Sequence, residues 1–196
     1  MDFPIDFTSG PLRYRHDHVQ GKNELILKAI GLKKDYLPKV LDATAGLGRE
    51  AFLIATGGCD ITLCERNQAV SALLEDALNR AKAQQELILT VSRMHLVKSC
   101  AINYLQANPD LFFDVIYCDP MFPKRRKSAL VKKEMQLLQQ LVGEDLDGEA
   151  LVRVCYERAK KRLVVKRALD APPLLPNVSV IFKARSHRFD VYLLHK

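Results

Sequence analysis

No stretch of this 196-residue chain approaches the roughly 18 consecutive uncharged apolar side chains that a membrane span needs. There is no glycine period and no low-complexity tract, so collagen-like and disordered classes are excluded. The opening residues, Met1-Asp2-Phe3-Pro4-Ile5-Asp6, have neither a basic stretch nor an apolar core, so no secretory leader is expected. The five cysteines, Cys59, Cys64, Cys100, Cys118 and Cys155, are odd in number and show no CxxC spacing. Neither a disulfide framework nor a zinc site is expected from them. His16, His18, His95, His187 and His195 are scattered without metal-type spacing, and no metal is expected. These absences leave the expectation of a soluble, cytoplasmic, globular protein with reduced thiols and no membrane partner. The length is that of one domain, or a domain with an arm.

What the chain does have is basic charge in one place. The total is 30 Lys and Arg against 23 Asp and Glu, a net of +7. Residues 1–120 hold 13 basic and 15 acidic side chains, whereas residues 121–196 hold 17 and 8. A basic C-terminal third points to a polyanionic partner, nucleic acid above all. The bland alternative is a solvated basic surface.

Order along the chain narrows the fold. Residues 1–20 read as an irregular arm, with Pro4, Gly10 and Pro11 as breakers. A helix from about Lys22 to Ile30 follows. Residues 1–30 are therefore read as an N-terminal arm and leading helix, and 31–196 as the domain. From Pro38 the pattern alternates. Val40-Leu41 reads as a strand ending at Asp42, and a glycine turn leads into a helix through Ala51 that stops at Gly57-Gly58. Asp60 to Cys64 reads as the second strand. Asn67 to about Glu86 reads as a helix with Ala69, Leu73, Ala77, Leu78 and Ala81 on one face. The third strand has two candidates, Ile88 to Val91 and Met94 to Val97. A short helix at Ala101 to Ala107 and a fourth strand at Phe113 to Cys118 come next. Helices are expected from about Ser128 to Val142 and from Leu146 through Ala159. Leu163 to Val165 reads as the fifth strand. Val178 to Phe182 and Phe189 to Leu194 are a final pair with room only for an antiparallel connection. The expectation is α/β: an open, mostly parallel seven-stranded sheet with helices on both faces and an antiparallel C-terminal strand. Ligands of such sheets bind at the carboxyl ends of strands, near the switch point.

That rule directs attention to Asp42-Ala43-Thr44-Ala45-Gly46-Leu47-Gly48-Arg49-Glu50. Gly46 and Gly48 allow close backbone approach, and the helix behind them presents unpaired N–H groups. Glu65 lies 23 positions after Asp42, at the end of the second strand, where a carboxylate accepts bonds from both hydroxyls of a ribose. Gly46-x-Gly48-x-x-Ala51 also fits a dinucleotide fingerprint. Asp42 favours a cationic ligand such as S-adenosylmethionine, because a carboxylate suits a sulfonium or ammonium and opposes a pyrophosphate.

The fourth strand, Phe113-Asp114-Val115-Ile116-Tyr117-Cys118, runs straight into Asp119-Pro120-Met121-Phe122-Pro123. This resembles the Asp/Asn-Pro-Pro-Tyr/Phe motif of methyltransferases acting on base amino groups. An exocyclic amine is a poor nucleophile because its lone pair is delocalised into the ring. A carboxylate (Asp119) and a backbone carbonyl (Pro120) can accept its two N–H bonds and localise that lone pair. Phe122 would stack on the base and hold it in line.

The resemblance extends further. Asp42 to Arg49, Asp119 to Pro123 and Lys127-Ser128-Ala129-Leu130-Val131-Lys132-Lys133-Glu134-Met135, with Val164 to Arg167, Ala171-Pro172-Pro173-Leu174 and His187-Arg188-Phe189-Asp190, resemble the ribosomal RNA small subunit methyltransferase J family. The match runs from about Asp6 to Tyr192. It implies a Rossmann-like S-adenosylmethionine methyltransferase fold. It also implies methylation of the N2 amine of a guanine in 16S rRNA of the small ribosomal subunit, with S-adenosylmethionine as cofactor and S-adenosylhomocysteine as product. The resemblance places donor contacts at Arg49, Glu50, Glu65, Arg66, Ser99, Cys100 and Asp119. Glu50 stands where the family usually has aspartate, and Cys100 where it usually has serine. The basic run Lys124-Arg125-Arg126-Lys127, with Lys132 and Lys133, follows the motif and is a candidate grip on RNA phosphates. A second cluster, Arg158, Lys160, Lys161, Arg162, Lys166 and Arg167, reads either as RNA-binding or as a solvated helix face. The competing readings are a DNA amino-methyltransferase of the same fold, a dinucleotide oxidoreductase and a non-catalytic RNA-binding module.

Overall fold

The computed structural model describes residues 5–18, 24–120 and 147–194. Seven strands form one sheet: β1 (Val40–Asp42), β2 (Ile61–Cys64), β3 (Met94–Val97), β4 (Phe113–Cys118), β5 (Ala159–Arg167), β6 (Val180–Lys183) and β7 (Arg188–Leu193). Their order is β3-β2-β1-β4-β5-β7-β6. The first five run parallel, and β7 is antiparallel to both β5 and β6. The strand order turns back between β1 and β4, which sets the switch point there. The expected mixed sheet and its final antiparallel pair are both present.

Strand periodicity divides the core. Val40, Val115, Tyr117 and Val164 face a layer built from α2 (Leu25–Ile30), α3 (Arg49–Thr56) and α4 (Gln68–Lys82). Leu41, Ile116, Cys118, Leu163 and Val165 face the other way, toward α6 (Ala101–Ala107) and α7 (Gly148–Arg158). Because helices cover both faces, the central strands read as apolar runs rather than as alternation. A charged residue at a strand end therefore stands out against an apolar background, as Asp42, Glu65 and Asp119 do.

The N-terminal segment is not the irregular arm expected. Gly10–His18 is a helix, α1, with Pro11 tolerated in its first turn. Phe7 is fully buried and stacks on Phe52 at 4.7 Å, and His16 meets the Thr90 hydroxyl at 3.1 Å. Its sequence has no apolar stripe, so docking rather than periodicity makes it helical. Arg13, Arg15 and His16 are engaged by Asp17, Glu24 and Thr90.

Two other readings need correction, and one open alternative is decided. In α4 the buried face is Val70, Leu74, Ala77, Leu78 and Ala81, while Ala69 is exposed. The Asn67 side chain caps that helix by accepting from the Ala69 and Val70 N–H groups. Ile88–Val91 is a single helical turn, α5, and the third strand is Met94–Val97. Ala159 begins β5 instead of ending a helix, and β5 is nine residues long. The helix expected over 128–142 lies outside the described residues. Among the described residues no helix is long and apolar enough to cross a membrane.

Candidate active site

A cavity opens at the carboxyl ends of β1, β2 and β4. Its wall brings together Asp42, Gly46, Arg49, Glu50, Glu65, Arg66, Ser99, Cys100 and Asp119. Gly48 stands behind that wall, where it caps α3. Pro120 is buried next to Asp119, and Phe122 lies outside the described residues. The basic run at 124–127 and Lys132 and Lys133 also lie outside them.

The loop after β1 is fixed by its neighbours. Ala43 N–H donates to the Tyr117 carbonyl at 2.9 Å, and Ala45 N–H to the Cys64 carbonyl at 3.0 Å. Gly46 and Gly48 both adopt positive φ, 52° and 69°. At Gly48 a Cβ would lie 2.8 Å from Leu74 Cδ1, so close packing as well as φ demands glycine. At Gly46 a Cβ would meet nothing nearer than 3.9 Å. Bare backbone is thus the wall of the cavity at that point, open to close approach by a ligand.

Glu65 closes the same loop from β2. Its Oε2 accepts from Gly46 N–H at 2.8 Å and its Oε1 from Asn67 N–H at 2.7 Å. The residue expected to receive ribose hydroxyls therefore also holds two backbone donors. Asp42 is 1% exposed, and its Oδ1 accepts from Thr44 N–H at 3.0 Å. Burial pushes its carboxyl well above the usual carboxylate range against that bond, and Glu50, Asp119 and Glu65 add to the rise. The Arg66 guanidinium pairs with Asp147 at 3.0 Å, joining the loop after β2 to the start of α7.

Three residues of the site were not assigned to it from the sequence. Thr44 accepts through Oγ1 from Asp119 N–H at 2.7 Å, so the two strand-end loops are tied together. Tyr117 is buried in the cavity wall, and its hydroxyl has no hydrogen-bond partner among the described residues. Burial raises its pKa well above the ordinary value, and Glu50, Asp119 and Asp42 raise it further. Lys166 is the third. Its Nζ donates to Glu50 Oε1 and to Asp119 Oδ2, each at 2.8 Å. Burial opposes its charge, but Asp119 and Glu50 outweigh burial and hold the ammonium above its usual range. Burial likewise tends to raise Glu50, and Lys166 overrides it to a net lowering.

The second basic cluster is not a helix face. Arg158 ends α7 and the rest lie on β5. Arg167 donates to the Pro172 carbonyl, and Arg162 to the Ala29 carbonyl. Lys160 and Lys161 are exposed, over the Phe112 and Tyr36 rings. Arg188 turns inward to Asp190 and to the carbonyls of Ala168, Leu169 and Ala171. His187 is half-buried, edge-on to Phe189 at 5.1 Å. Burial and Lys166 lower its pKa against the pull of Glu50.

Five acidic side chains in one cavity, Asp42, Glu50, Glu65, Asp119 and Asp147, facing a bare backbone loop, suit a ligand with a cationic centre and hydroxyls, and oppose a pyrophosphate. Comparison with known proteins agrees. A family model of SAM-dependent methyltransferases matches residues 1–194. The chain is 47% identical over 195 residues to a ribosomal RNA small subunit methyltransferase J of Pectobacterium atrosepticum, covering 96% of this chain and 77% of that protein. It is 45% identical to the protein of that name from Dechloromonas aromatica, over 96% and 77% of the two chains. A crystal structure of a SAM-dependent methyltransferase from Neisseria gonorrhoeae superposes with a TM-score of 0.74 at 35% identity, covering 96% of this chain and 73% of that one. The T. thermophilus 16S rRNA N2 G1207 methyltransferase, solved with AdoMet and guanosine, shares the fold at a TM-score of 0.55 and 18% identity, over 91% and 45%.

Proposed function

The chain belongs to the ribosomal RNA small subunit methyltransferase J family, and on that premise we propose that it transfers a methyl group from S-adenosylmethionine to the N2 amine of a guanine in 16S rRNA. The reading puts the enzyme in the cytoplasm, with the small ribosomal subunit or its RNA as partner. The observation that carries it is the position of Asp119, which follows β4 and immediately precedes Pro120, in the wall that also holds the Gly46 loop and Glu65.

Bound S-adenosylmethionine supplies an electrophilic methyl group on a sulfonium. The residues of the chain do the rest. Gly46 backbone gives close approach, Glu65 and Asp42 hold the hydroxyls and positive charge, and Arg49, Glu50, Arg66, Ser99 and Cys100 complete the donor wall. The Asp119 carboxylate and the Pro120 carbonyl accept the two amine N–H bonds. That pairing localises the nitrogen lone pair toward the methyl carbon, while Phe122 is assigned to stack on the base. Nitrogen forms the new bond as the carbon–sulfur bond breaks, and the electron pair leaves with sulfur. The methylated amine then loses one proton. The basic residues at 124–127 and 132–133 adjoin the motif in sequence and are assigned to RNA phosphates.

The test is transfer of labelled methyl to small-subunit particles lacking this modification, with digestion of the RNA to nucleosides. N2-methylguanosine is the expected product. In a parallel assay that offers DNA, labelled methyladenine or methylcytosine instead would move the activity to the competing substrate. Absence of transfer together with absence of donor binding would favour a non-catalytic module. On the donor side, Glu65→Ala is expected to raise the Kd of S-adenosylhomocysteine by at least about tenfold, the equivalent of about 1.4 kcal/mol or one to two hydrogen bonds. A calorimetric Kd within twofold of wild type would remove Glu65 from that role.

A further inference from the structure

Lys166 occupies a position that neither the donor contacts nor the target motif accounts for. It is carried by β5, the neighbour of β4 in the sheet, and Val165 stands opposite Cys118. One residue further along each strand come Lys166 and Asp119, whose side chains meet at 2.8 Å. The other partner, Glu50, is in the first turn of α3, directly behind the glycine loop. A single ammonium thus ties the helix that frames the donor to the strand end that presents the acceptor carboxylate.

We propose that Lys166 is a positioning residue for methyl transfer, holding the Asp119 carboxylate charged and aimed at the target amine. The inference rests on the functional reading above. Its physical basis is the crowd of acid around Asp119. Asp42 faces it from β1, Glu50 from α3, and Tyr117 and Cys118 from β4, while Glu65 after β2 acts on Asp42, Arg49 and Arg66 line the same cavity, and His187 approaches Lys166 and Glu50 from the turn before β7. Without Lys166 beside it, those negative surroundings would favour the protonated form of Asp119. A protonated Asp119 donates where it must accept, and the amine lone pair stays in the ring. The same ammonium makes Asp119 a good hydrogen-bond acceptor but a weak base. The proton lost by the methylated amine therefore passes to water rather than resting on Asp119.

The test compares wild type with Lys166→Met, Lys166→Gln and Lys166→Arg. The glutamine variant keeps a polar group in the space and covers the case in which the methionine variant does not fold. Two readouts are taken: kcat and KM for methyl transfer, and the pH titration of the Asp119 side-chain carboxyl carbon by NMR in ligand-free protein. In the uncharged variants the Asp119 titration is expected to move up by at least about one pH unit, the usual effect of removing an adjacent cation. Their kcat is expected to fall by about a hundredfold, the scale of a misplaced reacting group, with donor KM within about fivefold. Lys166→Arg restores the charge and is expected to recover part of kcat and to bring the titration back toward wild type. An unshifted Asp119 titration, or a loss confined to donor KM, overturns the inference alone. Wild type that forms no N2-methylguanosine overturns the functional reading and, with it, the catalytic role of Lys166.

Discussion

Asp119→Ala is expected to lower kcat for methyl transfer by about 10²–10³-fold, the range seen when one preorganised polar contact to the reacting centre is removed. The affinity for S-adenosylhomocysteine should change by less than about tenfold, because the donor keeps Glu65, Asp42 and the Gly46 backbone. Alanine removes the acceptor that localises the amine lone pair and leaves Lys166 with Glu50 alone. Asp119→Asn separates the two contributions. It keeps one acceptor oxygen but loses the charge that pairs with Lys166, and its amide also carries donors that oppose both the ammonium and the amine. It should fall between wild type and alanine. Single-turnover transfer of labelled methyl, with calorimetry of the product in parallel, checks both variants. An alanine variant within threefold of wild type would remove Asp119 from the chemistry. A variant that loses donor binding and transfer equally would make it a donor contact only.

The reason Asp119 was legible in the sequence, and Lys166 was not, is physical. Asp119 interrupts the apolar run Val115-Ile116-Tyr117-Cys118 at its carboxyl end, and a parallel strand buried on both faces tolerates charge only there. The same contrast exposed Asp42 and Glu65. Lys166 also follows an apolar run, Leu163-Val164-Val165, but it stands among many basic residues and a long lysine stem usually reaches water. Its partners are remote in sequence, Glu50 and Asp119, and only the strand order makes them neighbours. Helix α1 was hidden for a related reason. Gly10, Pro11 and a polar sequence carry no stripe, and its order comes from Phe7 on Phe52 and His16 on Thr90. The buried face of α4 was misread by one position because alanines at 69, 77 and 81 fit either face, and only packing chose Val70 and Leu74.

The two halves of the site are held together by contacts of the same kind. Thr44 from the donor loop receives Asp119 N–H, Ala43 N–H reaches Tyr117, and Lys166 joins Glu50 to Asp119. The Gly46 loop, Glu50 and Asp119 are thus tied together across the switch point between β1 and β4. Geometry at a methyl transfer depends on the angle between the incoming nitrogen and the leaving sulfur, so linkage of this kind matters more than any single contact.

The largest loss of stability is expected from Asp190→Ala. Asp190 is 0% exposed on β7, and Arg188 donates to it from Nε at 2.7 Å and from Nη2 at 3.0 Å. Arg188 also donates to the carbonyls of Ala168, Leu169 and Ala171, so the pair organises the chain leaving β5. Removing the carboxylate strands a buried guanidinium, a change that costs about 3–5 kcal/mol. For a chain of this size that corresponds to a fall of about 6–20 °C in Tm. Replacing both partners, Arg188→Met with Asp190→Leu, removes the stranded charge and should be milder than the single change, because apolar side chains of similar volume can occupy the space. Thermal melts of the single and double variants decide this, and a double variant as unstable as the single would show that the carbonyl contacts dominate. The consequence reaches the site through the sheet. Asp190 stands opposite Val165, and Phe189 opposite Lys166. A loosened β7 therefore frees the strand that delivers the ammonium to Asp119, so the folded fraction of Asp190→Ala should also show a reduced kcat with donor affinity little changed.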